Sequence, residues 1–470
     1  CSQGLCLGVE LGFLQHGVSR WEGGLDFGAT RARLKGAVER MGAILSEPVT
    51  AMVVERCSSP QWAAAAVTMQ GWRRTHEDAH ILCNLESGGS LGSASPGVFA
   101  VLDGHGGSSA ALEGAKLLED QLKSVATCGI RSPAEASRLL QDAFIDCDER
   151  LRQQLGQEDR SGSTVVACII NPARGNEYTV QLAHAGDSRA VLCRGGRLHC
   201  SKDHKPNRED EARRIEAAGG CVSQGPLGGG PMRVDGALAV SRALGDFHFK
   251  PSGMDPAKCK VSVVPEVQTV EGCTSGDWVL LACDGIFDVM ENDEVKDFVE
   301  SHSSRSAKKA DGAQVCIDML KLCLDKGSKD NCTICLVQFG ENFPVRTKTA
   351  ELLPGPWKAA SPEVQNKYAE FFRGHGFEAE ANEMTSSGRR LSGSSAGKTK
   401  QAQAASPAQP APRNAPPTPP AGGAQRNGHL NSFARVIQAV RSTRAIQSAW
   451  RARKTSNASA SASAAPGATE

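Results

Sequence analysis

The chain has 470 residues, with 53 Lys and Arg against 52 Asp and Glu and a net charge of +1, so bulk charge makes no case for nucleic acid or an anionic membrane. Its length suits two to three average domains, or one large catalytic domain with appendages, and no apolar run approaches the ~18 residues of a membrane-spanning helix. No secretory leader pattern is present, and the 17 cysteines are scattered, many in apolar runs such as those around Cys168, Cys283 and Cys323, as reduced thiols of a soluble cytoplasmic or nuclear protein would be.

In chain order, residues 1–60 read as an N-terminal extension with one short helix near 30–41. Within it, MGAILS (41–46) fits the acylation pattern M-G-x-x-x-[ST]. Met41 is read as the natural start and Gly42 as a myristoylation candidate, giving at most weak, reversible membrane association.

Residues 61–340 alternate strand-like and helical runs and are expected to form the main folded domain. Strands are predicted at 97–102, 163–170 and 278–283, each β-rich and bounded by turn residues. Helices are predicted near 108–125, 133–155, 208–218 and 310–324. Paired strands followed by helices, without strict alternation, point to an α+β fold with helices on the outer faces of packed sheets.

Residues 341–386 read as a helical appendage. Ser361 is the N-cap, Pro362 the first helical residue and Gly374 the end, with Val364, Tyr368, Phe371 and Phe372 forming a face expected to pack on the core. Residues 387–430, rich in Ser, Ala, Pro, Gly and Gln, are expected to be a disordered linker. Beyond Gly388 the only acid is Glu470. Residues 431–456 read as a basic amphipathic helix: Phe433, Ile437, Val440, Ile446 and Trp450 form an apolar stripe among six Arg and Lys between 433 and 454. Such a helix fits a calmodulin-like partner or an anionic membrane surface. Residues 457–470 are expected to be a disordered tail.

The chemistry shows in where the carboxylates fall. Asp103 and Asp284 each end an apolar run and precede Gly; Asp187 sits between two further runs; Glu77 and Asp78 are adjacent; Asp330 precedes the last core strand. Several strand-end carboxylates at one edge would repel one another and need cations. Oxygen donors with few imidazoles or thiolates favour hard metals such as Mg²⁺ or Mn²⁺. A single Asp-Gly pair is merely a turn; the number of such sites carries the argument.

The order of motifs also resembles a known family. MQGWRRTHEDAH (69–80), VFAVLDGHGG (98–107), SGST (161–164), HAGDSRA (184–190), DHKP (203–206), LAVSRALGD (238–246), ACDGIFDVM (282–290) and SKDN (328–331) resemble the motifs of PPM (type 2C) metal-dependent serine/threonine phosphatases over about 270 residues. The resemblance implies a four-layer αββα arrangement, a central sandwich of two antiparallel sheets flanked by helices, with two Mg²⁺ or Mn²⁺ ions at one end. It implies that Asp103 bridges the ions, Glu77 and the carbonyl of Gly104 complete one site, and Asp284 and Asp330 hold the other. Asp78 and Asp187 fall where an outer-sphere group or a third ion would sit. Two cations roughly 4 Å apart lower the pKa of a shared water, so that no phosphoenzyme is needed. Arg73 would then hold the phosphate, and His105 would protonate the departing oxygen. The chain departs from the family at His76, usually Met, and Leu102, commonly Phe; His76 is expected to face solvent. MGA, a few tens of residues before QGWR, also resembles the opening of several members.

Other chemistries fit poorly. His199-Cys200-Ser201 resembles the start of a cysteine-phosphatase loop, but Pro206 stands where its Arg is required. Cys332 and Cys335 would face opposite sides of a strand, which excludes a paired thiol site. The resemblance makes residues 61–340 the expected catalytic domain of a monomeric hydrolase of phosphoserine and phosphothreonine in phosphoprotein substrates, with no nucleic-acid role. The alternative is a noncatalytic adaptor that recognises phosphoproteins while its tail recruits the calmodulin-like partner.

Overall fold

The computed structural model describes residues 44–391 except 86–94, 157, 226–227 and 305–310. Gly42, the short helix near 30–41, the linker, the basic helix and the tail lie outside the described residues.

The strands, in chain order, are β1 (Ile44–Ser59), β2 (Trp62–Arg73), β3 (Ala79–Asn84), β4 (Gly97–His105), β5 (Gly162–Pro172), β6 (Tyr178–Ala185), β7 (Arg189–Arg194), β8 (Arg197–Cys200), β9 (Val222–Gln224), β10 (Met232–Val234), β11 (Leu244–Gly245), β12 (Glu266–Cys273), β13 (Trp278–Ala282), β14 (Cys332–Phe339) and β15 (Arg346–Leu353). One antiparallel sheet runs β15-β1-β2-β14-β13-β7-β8; the other runs β12-β6-β5-β4-β3, with β11 also paired to β5. The helices are α1 (Ser109–Thr127), α2 (Pro133–Leu155), α3 (Glu209–Ala217), α4 (Asp284–Phe287), α5 (Asn292–Ser304), α6 (Gly312–Asp325), α7 (Pro362–Gly374) and α8 (Glu378–Leu391).

Three apolar layers follow from period-2 alternation along the strands. On β14, Cys332, Ile334 and Leu336 face α5 and α6, whereas Cys335, Val337 and Phe339 face the other sheet. The two thiols therefore lie on opposite faces, as the strand reading requires. Trp62, Phe99, Leu182, Leu281 and Val337 fill the space between the sheets. Leu118 and Leu122 of α1 and Leu140 and Phe144 of α2 cover the second sheet's outer face. Each such fully buried side chain contributes about 1.5–3 kcal/mol of transfer free energy. The helix starts are written locally: Ser132 accepts from the Glu135 N–H ahead of Pro133, and Asp311 accepts from the Ala313 N–H.

The four-layer αββα arrangement is as expected, but two boundaries are not. The sheet does not begin at residue 61: β1 lies between β2 and β15, its register running from Ile44 opposite Arg73 to Ser59 opposite Trp62. Nor is 341–386 purely a helical appendage, because β15 is the outer strand of the same sheet. Placing Leu45, Val49, Ala51 and Val53 in the sheet gives α7 its seat: Val364, Tyr368, Phe371 and Phe372 pack against them. Tyr368 Oη, 3.0 Å from the Thr50 N–H and 3.1 Å from its hydroxyl, pins the helix there.

Candidate metal centre and phosphate site

The C-terminal ends of β2, β4, β6 and β13 and the start of β14 meet at one end of the sandwich. Strands that are antiparallel partners must present alternate ends there, and β14 opposes both β2 and β13. This edge gathers Arg73 at the end of β2, Glu77 and Asp78 in the following loop, and Asp103, Gly104 and His105 at the end of β4. It also gathers Asp187 between β6 and β7, Asp284 at the first residue of α4, and Asp330 just before β14.

Two close approaches explain the glycines. A Cβ on Gly104 would overlap the Glu77 carbonyl oxygen, with the Glu77 carbonyl carbon 3.1 Å and the Ala111 Cβ 3.2 Å away. A Cβ on Gly285 would overlap the Asn331 carbonyl oxygen. The Glu77 and Asp330 segments can therefore lie against the two strand ends only because the Asp-Gly pairs lack side chains there.

Asn331 ties the loop to the strand. Its Nδ2 donates to the carbonyls of Gln70 (2.7 Å) and Thr75 (3.0 Å), and its Oδ1 accepts from the Glu77 N–H (3.0 Å). Glu77 Oε1 accepts from the Thr75 hydroxyl at 2.8 Å, and Oε2 accepts from the Gly107 N–H at 3.1 Å. The Glu77 carboxylate is thus fixed before any ligand arrives.

Electrostatically the site is under tension. Burial, then the charges of Asp284, Asp78, Asp330 and Asp187, push the Asp103 carboxyl well above the usual range. Burial, then Asp187 and Asp330, do the same to Asp284. Asp78 is pushed up to about 7, chiefly by burial, although its Oδ2 accepts a 2.6 Å hydrogen bond from Thr333. Its Oδ1 is buried with no hydrogen-bond partner among the described residues. Arg73 pairs with Asp330, and Lys205 Nζ lies 2.5 Å from Asp187 Oδ2. A crowded oxygen-only donor set with an orphaned carboxylate oxygen fits hard divalent cations.

His105 Nε2 lies 2.8 Å from Asp246 Oδ2. Burial disfavours its charged form, but the hydrogen bond and charge of Asp246 outweigh this and raise its pKa. His76 does not face solvent as expected. It bonds the Thr68 hydroxyl at 2.8 Å and packs edge-on against Phe371 and His375 of the α7 segment, at 5.2 and 5.1 Å between ring centres. Burial, then His375 and His80, push its pKa well down.

The structure brings together every metal, phosphate and proton-transfer candidate named from the sequence. Sequence reasoning missed Asn331 as the loop anchor, Lys205 as the counter-charge of Asp187, and Asp246 as the partner of His105. Asp246 and Lys205 lie inside the quoted motifs LAVSRALGD and DHKP, which were the available signal.

A second cluster, His184, His204 and Glu266, has its ligand-type atoms within 4.8 Å of one another. It is poorly suited to a metal. The Gly186 N–H donates to His204 Nδ1 at 3.2 Å, which places the proton on Nε2, so coordination there would require an imidazolate. His184 Nε2 donates to the Lys202 carbonyl at 2.9 Å, and Glu266 already pairs with Arg208 and lies 3.7 Å from Arg242.

A two-sheet sandwich with acid-lined strand ends and a guanidinium beside them offers the donor set of a metal-dependent phosphohydrolase. Residues 62–332, more than half of the chain, match the family model described as Protein phosphatase 2C. The chain belongs to the protein phosphatase 2C family and is a metal-dependent protein serine/threonine phosphatase. Protein phosphatase 1A of Homo sapiens is 40% identical over 283 residues, covering 58% of this chain and 69% of that protein. Probable protein phosphatase 1N of Mus musculus is 38% identical over 321 residues, covering 67% and 72%. A crystal structure of a phosphatase from a pathogenic strain of Toxoplasma gondii superimposes with a TM-score of 0.55 at 29% identity, covering 64% of this chain and 99% of that one.

Proposed function

We propose that the chain hydrolyses phosphoserine and phosphothreonine in proteins by direct attack of water, with Asp103, Glu77, the Gly104 carbonyl, Asp284 and Asp330 holding two Mg²⁺ or Mn²⁺ ions. The observation that carries this reading is the convergence of Asp103, Asp284 and Asp330 with Arg73 at one sheet edge, where burial and mutual repulsion drive Asp103 and Asp284 up. When bound, the cations supply acidification of water and neutralisation of phosphoryl charge.

The chain's own residues do the rest. The planar fork of Arg73, whose side chain is 49% exposed, can leave Asp330 for phosphate oxygens. His105 delivers a proton to the serine or threonine oxygen, a poor leaving group without one. Asp78 orders the surroundings through Thr333. Lys205 supplies Asp187 with a positive charge, which supports two resident ions rather than three.

Acylation of Gly42, a calmodulin-like partner or anionic membrane for the stripe Phe433–Ile437–Val440–Ile446–Trp450, and residence in cytoplasm or nucleus are proposals carried by the sequence alone. The adaptor alternative has no observation in its favour, because an adaptor has no need of Arg73, Asp103 and Asp284 together.

The test is phosphate release from a phosphothreonine peptide by the full chain, with and without Mn²⁺, beside Asp284→Asn. Metal-dependent release that collapses in the variant is expected. A folded, Mn²⁺-treated wild-type chain that releases no phosphate would sink the catalytic reading.

A further inference from the structure

We infer that Asp246 is the positioning residue of the proton donor: it holds the His105 ring through Nε2 and so leaves Nδ1 as the nitrogen that serves the departing oxygen. The inference rests on the proposed role of His105 and adds the group that orients it.

Asp246 is 141 residues away in sequence and almost fully buried, with its side chain 2% exposed against 29% for His105. Its Oδ2 meets His105 Nε2 at 2.8 Å. No hydrogen-bond partner for His105 Nδ1 is found among the described residues, and that nitrogen is not among the buried unpaired atoms, so it is open to a substrate. A carboxylate on one imidazole nitrogen fixes which nitrogen keeps its proton and which way the other points.

The surrounding structure holds Asp246 in place for this contact. Asp246 has φ +51°, a left-handed conformation that costs a non-glycine residue energy unless its neighbours enforce it. They do. The Asp246 N–H donates to the Ser161 carbonyl at 3.0 Å, and the Gly245 N–H donates to Asp148 Oδ1 at 2.8 Å. The buried Lys250 Nζ lies 3.0 Å from both Asp148 oxygens and 2.7 Å from the Ala243 carbonyl. The buried ion pair between Asp148 of α2 and Lys250 thereby clamps the turn that carries Asp246.

Gly162 gives an independent sign of the same design. It has no left-handed φ, so its backbone would accept any residue. A Cβ there would nevertheless overlap both Asp246 Oδ2 and His105 Nε2. The glycine is required by the His105–Asp246 contact that passes over it.

In the step itself, the bond from phosphorus to the side-chain oxygen breaks, and that oxygen takes the proton from Nδ1. His105 ends neutral, keeping its proton on Nε2, where it is hydrogen-bonded to Asp246. Water contributes hydroxide to phosphorus and a proton to solvent, which later reprotonates Nδ1. Ester plus water gives alcohol plus phosphate.

The experiment compares full-length wild type, His105→Ala, Asp246→Ala, Asp246→Asn, Gly162→Ala and the double variant His105→Ala/Asp246→Ala at saturating Mn²⁺. Two substrates are used: a phosphothreonine peptide and an aryl phosphate whose leaving group needs little protonation. Asp246→Ala is expected to slow the peptide reaction by about 10–10²-fold, with a loss at least about tenfold smaller on the aryl phosphate. Asp246→Asn, which can still accept from Nε2–H, should recover most of that loss. Gly162→Ala should show the same substrate-dependent loss, and the double variant should be no slower than His105→Ala alone. Equal losses on both substrates by soluble, cooperatively melting Asp246→Ala and Gly162→Ala would overturn the inference, as would a double variant slower than His105→Ala. If His105→Ala itself loses equally on both substrates, the proton-donor reading of His105 fails first, and the role of Asp246 falls with it.

Discussion

Lys205 Nζ stands 2.5 Å from Asp187 Oδ2, so this buried carboxylate already has a counter-charge from its own chain. Replacing Lys205 by Met leaves Asp187 beside Asp284 and Asp288 without that charge. The variant is expected to bind about one more Mn²⁺ per chain than wild type at millimolar metal, measured by elemental analysis after rapid desalting. Equal metal content in the two proteins would show that Lys205 does not occupy an ion's place.

Relief of repulsion should separate stability from activity. In Asp284→Asn one charge leaves a cluster in which burial and neighbouring carboxylates already disfavour ionisation. The metal-free variant should melt a few degrees above metal-free wild type. Wild type at 100 times the metal Kd should gain about 2.7 kcal/mol, most of which the variant forfeits. Turnover should fall by about 10²-fold or more. Thermal melting with EDTA and with Mn²⁺, beside phosphate release, reads all three.

Arg73 offers a planar fork that lysine cannot reproduce. Arg73→Ala is expected to lose about 2–3 kcal/mol of transition-state binding, about 10²-fold in kcat/KM, with Arg73→Lys recovering only a small part. Steady-state kinetics on the phosphopeptide decide this; full recovery by lysine would mean that only a point charge is used.

The seat of α7 on β1 predicts that the domain cannot be cut at residue 340. A chain ending there loses β15 and uncovers Leu45, Val49, Ala51 and Val53. It should be insoluble or melt without cooperativity. The milder Tyr368→Phe, which strands the Thr50 N–H, should cost about 1–2 kcal/mol in urea unfolding.

Acid stability should depend on the stacked histidines His184 and His204, whose rings lie 4.5 Å apart. Burial, then the neighbouring His204, lowers His184 to about 4 from its ordinary 6.5. A histidine whose folded pKa is depressed favours the fold while neutral. That contribution is complete above about pH 6.5 and is lost as the pH falls towards 4. His184→Gln should flatten the fall in Tm across this window by a few degrees; an unchanged slope would remove the pair as the cause.

What the sequence revealed and what it hid have a common physical basis. The strand ends with Asp103 and Asp284, and the helix Pro133–Leu155, are encoded within a few neighbouring residues, so local patterns reveal them. β15 is largely solvent-facing and polar, as RTKTAELL, and shows no apolar alternation; only pairing with β1 makes it a strand. β1 itself mixes Glu47, Pro48, Glu55 and Arg56 among apolar residues, which masks its alternation. The His105–Asp246, Lys205–Asp187 and His76–His375 relationships depend on side-chain placement in the folded chain, which local periodicity does not record.

The pairing of β2 between β1 and β14, with β15 outside β1, also sets an order in time. A chain emerging from the ribosome holds Glu77 and Asp103 early, but β2 gains its second neighbour only after residue 339 has been made, and β1 gains its cover only after residue 374. Asp330, which pairs with Arg73, arrives with the same late strand. A half-synthesised phosphatase is therefore a chain without an assembled catalytic edge, and activity should appear abruptly near the end of translation of this domain rather than growing with its length.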